Sequence, residues 1–201
     1  MPPFFVEGDL NAFSIRPAVA GDLEAITVIY ADAVENGTSS YELVPPSLAD
    51  MTQRYEALVA GGFPYIVAEA KGQILGYAYA GAFRPRPAYR FAVEDSIYVA
   101  PDAKGQGVGR DLLAKLIEEC RGLGFRQMLA VIGDARPESA SVRLHERMGF
   151  SHAGLLKGTG YKHGRWLDTG FMQLEMNGGP AAAPDPDSLP ELRFQAARLR
   201  P

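Results

Sequence analysis

Residues 95–113 of this 201-residue chain read DSIYVAPDAKGQGVGRDLL. Ser96-Ile97-Tyr98-Val99 is a run of β-branched and aromatic residues, the composition of a strand. Gly105, Gly107 and Gly109 follow at alternate positions. Val108, Leu112, Leu116 and Cys120 then recur at helical spacing, with Leu113 and Ile117 beside them. A strand, a glycine-rich loop and a helix start together aim unpaired N–H groups and the positive end of a helix dipole at one place. Glycine lets that backbone approach a ligand closely and adopt positive φ. The stretch therefore reads as a pyrophosphate cradle.

Spacing excludes two familiar nucleotide loops. A dinucleotide fingerprint would need glycine at Arg110 or Leu112, and a P-loop would need Gly-Lys followed by Ser or Thr. Composition narrows the class further. Hydrophobic residues make up 47% and charged residues 22% of the chain, as in an ordinary soluble domain. A net charge of −4 argues against non-specific nucleic-acid binding, which needs a basic surface. The single cysteine, Cys120, leaves no internal disulfide and suits a reducing cytosol, and its helical position predicts core packing. Residues 1–8 lack the basic and apolar segments of a signal peptide, and no apolar run approaches the ~18 residues of a membrane span. A cytoplasmic protein with no membrane partner is expected.

Along the chain, residues 1–12 read as a flexible leader and residues 13–176 as one catalytic-sized domain. Residues 177–201 read as a Pro/Ala-rich linker and short tail. Within the domain, a strand at 13–17 precedes a helix carrying Leu23, Ile26, Tyr30 and Val34, which ends near Asn36-Gly37. Ser47 caps a second helix reaching about residue 60. Residues 65–69 and 74–79 flank Lys71-Gly72-Gln73 as a hairpin. Strands are expected at about 91–99, 127–132, 151–156 and 166–176, and a helix at 138–148. A last amphipathic helix over 188–199 would use Leu189, Leu192, Phe194 and Leu199. This order suits an α/β mixed sheet with helices on both faces.

Lys104-x-x-Gly107-x-Gly109 resembles the R/Q-x-x-G-x-G/A signature of the GNAT superfamily of acetyl-CoA-dependent N-acetyltransferases. Lys104 stands where arginine or glutamine is usual. Four further pieces resemble the phosphinothricin acetyltransferase branch: Phe83-Arg84-Pro85-Arg86-Pro87-Ala88-Tyr89, Val93-Glu94-Asp95-Ser96-Ile97-Tyr98-Val99, Ser141-Val142-Arg143-Leu144-His145-Glu146, and Tyr161-Lys162-His163-Gly164-Arg165-Trp166-Leu167-Asp168. The resemblance spans about residues 15–176. It implies the GNAT fold, a mixed, mostly antiparallel seven-stranded sheet flanked by helices. It also implies acetyl-CoA as cosubstrate, lying between two splayed strands. The pantetheine arm would pair with the backbone of Ile97 and Val99, around Tyr98. The pyrophosphate would sit on N–H groups of Lys104, Gly105, Gln106, Gly107, Val108, Gly109 and Arg110, with Lys104 and Arg110 adding charge. Relatives form dimers, which implies a homodimer.

The chemistry needs a neutral amine, a polarised thioester and a proton for the leaving thiolate. The resemblance makes Glu94 the candidate base, although a free glutamate has a pKa of about 4.3 and burial would have to raise it. His145 stands where many relatives carry a proton-donating tyrosine, and its ordinary pKa of about 6.5 suits acid or base work. His152 and His163 have weaker claims. No Cys, His and carboxylate grouping shows metal-ligand spacing, and the reaction needs no metal.

For the acceptor, the resemblance assigns Tyr41, Arg84, Arg86 and Tyr89 to an amino-acid-like substrate, and guanidinium forks suit its anionic group. Two departures stand out. Glu42 replaces an arginine of characterised members and points toward a more cationic acceptor, while Glu138 replaces a common asparagine near pantetheine. The expected activity is acetyl transfer to the amine of a phosphinothricin or methionine sulfoximine type acceptor. The alternatives are another amine, such as a polyamine, an aminoglycoside or a protein N-terminus, and a non-catalytic acetyl-CoA-binding module.

Overall fold

The computed structural model describes residues 13–199, so the expected leader lies outside the described residues. β1 (Ser14–Pro17) leads to α1 (Leu23–Asn36) and α2 (Leu48–Ala60), then to the hairpin of β2 (Tyr65–Ala70) and β3 (Gln73–Ala82). β4 (Ala92–Val99), α3 (Val108–Gly122), β5 (Gln127–Gly133) and α4 (Ala140–Arg147) follow. β6 (Ser151–Lys162), β7 (Arg165–Glu175) and α5 (Leu189–Arg198) complete the order. α2 starts at Ser47 because Ser47 Oγ accepts from Asp50 N (3.2 Å) while the Asp50 carboxylate accepts from Ser47 N (3.0 Å). That reciprocal box satisfies two otherwise unpaired helix-end donors.

The seven strands form one sheet in the order β1-β2-β3-β4-β5-β7-β6, and β4–β5 is its parallel pair. One face packs on α3 and α4, with Val93, Leu112, Leu116, Cys120, Met128 and Val142 in its core. The other packs on α1 and α2 around Ile26, Val34, Met51, Val67 and Tyr77. Because strand side chains alternate, β4 serves both cores. Val93, Ile97 and Val99 face α3, whereas Tyr98 stacks on Tyr77 at 5.2 Å and meets Tyr30 edge-on at 4.9 Å on the α1 side.

One feature of the ladder makes room for a ligand. β4 and β5 pair over three positions, Ala92↔Gln127, Val93↔Met128 and Glu94↔Leu129. Beyond Glu94, β4 stays on β3 as far as Gly76↔Val99, and β5 stays on β7 as far as Gly133↔Thr169. The two strands part there, leaving residues 95–99 of β4 without a β5 partner.

Three elements differ from the sequence expectations. β3 runs on to Ala82 because β4 pairs with it that far. α4 begins at Ala140, with Ser139 at its N-cap, rather than at Glu138. β6 extends from Leu156 to Lys162. Gly154, Gly158 and Gly160 hide the strand pattern, and the extra pairs, Gly160↔Leu167 to Lys162↔Arg165, come from β7 after a register shift.

After β7 the chain crosses the end of the sheet. Asn177 Nδ2 donates to the carbonyls of Arg121 and Phe125, both at 2.9 Å, and Arg126 donates to those of Gly179 and Ala182. α5 is tied on by Leu189 N to Leu123 O (3.0 Å). Leu189 packs against the α3-side core, but Leu192 and Leu199, expected on the same apolar face, are exposed. Phe194 lies under the Arg90 guanidinium instead.

Candidate active site

The parting of β4 and β5 opens into a cleft of about 1890 Å³. Its walls are residues 94–99 of β4, residues 130–133 of β5, the start of α3 with the loop before it, and residues 37–41 after α1. His145 and Leu144 of α4 also border it.

The glycine loop has the geometry an anion site needs. Gly105 and Gly107 have φ of 80° and 86°, where a side chain is strained, and Gly107 caps α3. The first backbone bond back from α3 is Asp111 N to Gly107 O (3.1 Å). Among the described residues, the N–H groups of residues 105–110 have no backbone acceptor, which is the arrangement of a helix N-terminus open to an anion. Only backbone is on offer at some of these positions. The Val108 side chain is buried in the core, and Gln106 Nε2 donates to Asp102 O (2.7 Å). Lys104 is exposed, 4.0 Å from Asp32, and the Arg110 guanidinium is exposed and bonded to Asp111 (2.7 Å). Gly109 lies against Val99 and Leu144 with no φ strain, so its role is close packing at the cleft. The residues present thus fit a diphosphate on the loop and an extended arm along the unpaired edge of residues 95–99.

Glu94 sits at the last β4–β5 pair, where the cleft begins, and is half-buried. Burial raises its pKa above the ordinary carboxylate value, repulsion from Asp95 raises it further, and Arg84 opposes the rise. A base poised upward in this way is better matched to an amine near neutrality than a solvated glutamate.

His145 is buried and both of its ring nitrogens are engaged. Nδ1 lies 2.7 Å from Ser141 O, and Nε2 lies 3.1 Å from Asp95 Oδ2. A carbonyl only accepts, so Nδ1 carries hydrogen, and one further proton lies between Nε2 and Asp95. Burial pushes the imidazole pKa down, but the Asp95 bond and charge and the Ser141 carbonyl lift it overall above its ordinary value. The two side chains are 5% and 3% exposed, and Asp95 Oδ1 has no hydrogen-bond partner among the described residues. The histidine expected as an acid or base is thus a paired imidazole in this structure, held at both ring nitrogens. Asp95 was not singled out at all, because nothing in DSIYV shows that its side chain meets a helix fifty positions later.

The acceptor residues divide. Tyr41 is on the cleft wall, its ring against Gly133 and Gly160, where a Cβ would meet the ring at 2.8 Å and 2.5 Å. Its hydroxyl donates to Asp168 O (3.3 Å) and accepts from Thr169 Oγ1 (3.1 Å). Arg84 lies outside the cleft lining, with its guanidinium over Phe83 at 5.1 Å, yet it is close enough to influence Glu94. Arg86 and Tyr89 are exposed and outside the cleft lining, with Tyr89 edge-on to Phe83.

Glu42 does not line the cleft either. It accepts from Arg54 (2.7 Å) and from the Tyr30 hydroxyl (3.0 Å), so its charge is matched within the protein. The sequence argument for a cationic acceptor from Glu42 is therefore withdrawn. Glu138 is exposed near Arg136 (3.6 Å), His152 bonds Glu146 (2.8 Å), and His163 bonds Gly37 O (3.1 Å). Lys162 is a further residue missed by sequence. It is buried, donates to Ser40 O (2.7 Å), and burial lowers its pKa against the opposing pull of Glu42. It ties the end of β6 to the loop that carries Tyr41.

A mixed sheet split beside a glycine-led helix, with Glu94 and the Asp95–His145 pair at the split, is the arrangement expected of an acyltransferase of the acetyl-CoA type. The acetyltransferase (GNAT) domain family matches residues 15–170, and the chain belongs to that family. It is 50% identical over 174 residues to a phosphinothricin N-acetyltransferase of Alcaligenes faecalis, covering 87% of this chain and 88% of that protein. An L-methionine sulfoximine/L-methionine sulfone acetyltransferase of Pseudomonas paraeruginosa is 42% identical over 165 residues, covering 82% and 95%. A crystal structure of a phosphinothricin acetyltransferase from Sinorhizobium meliloti in complex with AcCoA superimposes with a TM-score of 0.86. That structure is 51% identical and covers 89% of this chain and 96% of that one.

Proposed function

We propose that this protein transfers acetyl from acetyl-CoA to the amine of a small amino-acid-like acceptor of the phosphinothricin or methionine sulfoximine type. The observation that carries this is the parting of β4 and β5 at Glu94, which joins the glycine-loop anion site to a candidate base within one cleft. The named relatives support the acceptor class. Glu94 takes a proton from the acceptor ammonium, directly or through one water. The freed nitrogen attacks the thioester carbonyl carbon and the C–N bond forms; the nitrogen then gives its second proton to water, and collapse of the tetrahedral intermediate breaks the C–S bond. His145, held protonated by Asp95, supplies the proton to the departing thiolate at the expense of its Nε2 bond. Residues 104–110 hold the diphosphate, and residues 97–99 hold the pantetheine arm. Tyr41 and Arg84 frame the acceptor, with Arg86 and Tyr89 in the same loop as Arg84.

The finer proposals are a cytoplasmic location and a homodimer. The single thiol, Cys120, suits a reducing compartment. For the dimer, the outermost ribbon, β6 with β7, exposes Leu155, Leu156, Tyr161 and Trp166, an apolar group of the kind that a second copy covers. Domain limits at 13–176, with 177–201 as an appendage, belong to the same proposal.

A thiol-release assay with acetyl-CoA against phosphinothricin, methionine sulfoximine, methionine sulfone, a polyamine and an aminoglycoside tests the activity. Turnover confined to the amino-acid-like amines is expected, and none with any amine would overturn it. Light scattering on the purified chain and on Trp166→Ala tests the dimer.

A further inference from the structure

We propose that α5 holds the acceptor-side loop, residues 83–91, in its working shape through Arg90, with Glu191 and Phe194 as positioning residues that tune acceptor affinity. This rests on the proposal above that the loop faces the acceptor.

Arg90 is the loop residue with the most ties. Its Nε donates to Glu191 Oε2 (2.9 Å), across 101 positions of sequence, and its Nη1 donates to Pro87 O (3.2 Å) in the loop itself. Its guanidinium lies between two rings, 4.5 Å from the centroid of Phe91 and 4.4 Å from that of Phe194. A planar cation between two aromatic faces and a carboxylate is held in orientation as well as position. The neighbouring residues Arg84, Arg86 and Tyr89 are exposed.

The ends of the loop are tied to the sheet, by Phe83 N to Ala92 O (3.3 Å) and by Arg126 N and Gln127 N to Phe91 O (2.9 and 3.2 Å), and Phe83 meets Tyr89 edge-on. Between these ends Pro85 and Pro87 lack N–H groups, and the backbone bonds are Tyr89 N to Arg86 O and Arg90 N to Pro87 O. α5, in contrast, is anchored independently of Arg90. Leu189 N bonds Leu123 O, the Leu189 side chain packs over Gly62, and Arg193 lies over Phe63 at 4.7 Å. A fixed helix thus grips a sparsely bonded loop at one residue. α5 lies beyond the residues that the family match covers.

Full-length Glu191→Gln, Phe194→Ala and the double variant test this by steady-state kinetics and by hydrogen exchange at residues 83–91. Loop exchange should rise and the KM for the amine should increase about fivefold in the double variant, while kcat and the KM for acetyl-CoA change less than about twofold. Unchanged loop exchange, or a loosened loop with an unchanged amine KM, overturns the inference, as does equal damage to both substrates. If the double variant folds poorly, the isosteric Glu191→Gln alone should still raise the amine KM selectively, and no selective rise overturns the inference. Arg84→Ala, Arg86→Ala and Tyr89→Phe run alongside. If none of these alters the amine KM, the acceptor-facing loop is what fails. If they alter it and the α5 variants do not, only the role of α5 falls.

Discussion

Asp95 Oδ2 and His145 Nε2 lie 3.1 Å apart in the buried wall of the cleft, joining β4 to α4 with side chains almost closed to solvent. Glu94, the adjacent residue of β4, points to the opposite face of the sheet, as strand alternation requires. The candidate base and the candidate acid are therefore controlled from one strand but sit in two different environments.

Removing Asp95 takes away the buried partner of His145 Nε2 and leaves that ring nitrogen without its hydrogen bond. Asp95→Ala should lower stability by about 1–3 kcal/mol, read from the denaturant midpoint. The pH dependence has a definite sign. His145 has a raised folded pKa, so its pairing contributes fully below the unfolded value of about 6.5 and is lost as pH rises through the folded value. The wild-type melting temperature should fall over that window, and Asp95→Asn should flatten the His145 part of the fall.

Glu94 must be ionised to accept a proton, so kcat/KM should decline as pH falls through its raised pKa. Arg84→Ala removes the charge that holds this pKa down and should move the acid limb to higher pH. Asp95→Asn removes a repulsion and should move it to lower pH. Opposite shifts in one pH–rate series would identify Glu94 as the titrating group.

Glu94→Gln should lower kcat by at least about 10²-fold with little change in acetyl-CoA affinity. Single-turnover kinetics together with calorimetry for acetyl-CoA separates the two effects. A comparable loss of binding would move Glu94 out of the base role.

Gly107→Ala places a side chain at φ 86° on the cap of α3, a conformation that costs about 1–2 kcal/mol for a residue with a Cβ. Loop distortion should weaken acetyl-CoA binding about tenfold or more while leaving the amine KM nearly unchanged once acetyl-CoA is saturating. Calorimetric titration with coenzyme A checks it.

Gly133→Ala would drive a Cβ into Thr38 O and to 2.8 Å from the Tyr41 ring. The loop carrying Tyr41 would have to lift from β5, so the acceptor KM should rise several-fold, with a smaller fall in thermal stability. Competition kinetics with amine and acetyl-CoA varied separately distinguishes this from damage to the glycine loop.

Local chemistry was enough to read the order of strands and helices, the cap at Ser47, and the glycine loop with its helix. Each depends on neighbours within a turn or two, where periodicity, capping and φ preference act. β6 was read too short because its glycines carry no strand signal, and only pairing with β7 extends it to Lys162. The charge on Glu42 could not be assigned from sequence, since Arg54 and Tyr30, which match it, come from two separate helices.

The sequence by itself determined the glycine-rich loop at the start of its helix and the alternation that puts Glu94 and Asp95 on opposite faces. Tertiary structure alone decided where β4 leaves β5, that His145 is paired with Asp95, and that α5 closes on Arg90 from 101 residues away. The division follows from range. Backbone preferences act over a few residues, whereas desolvation and charge pairing depend on which surfaces the folded chain brings together.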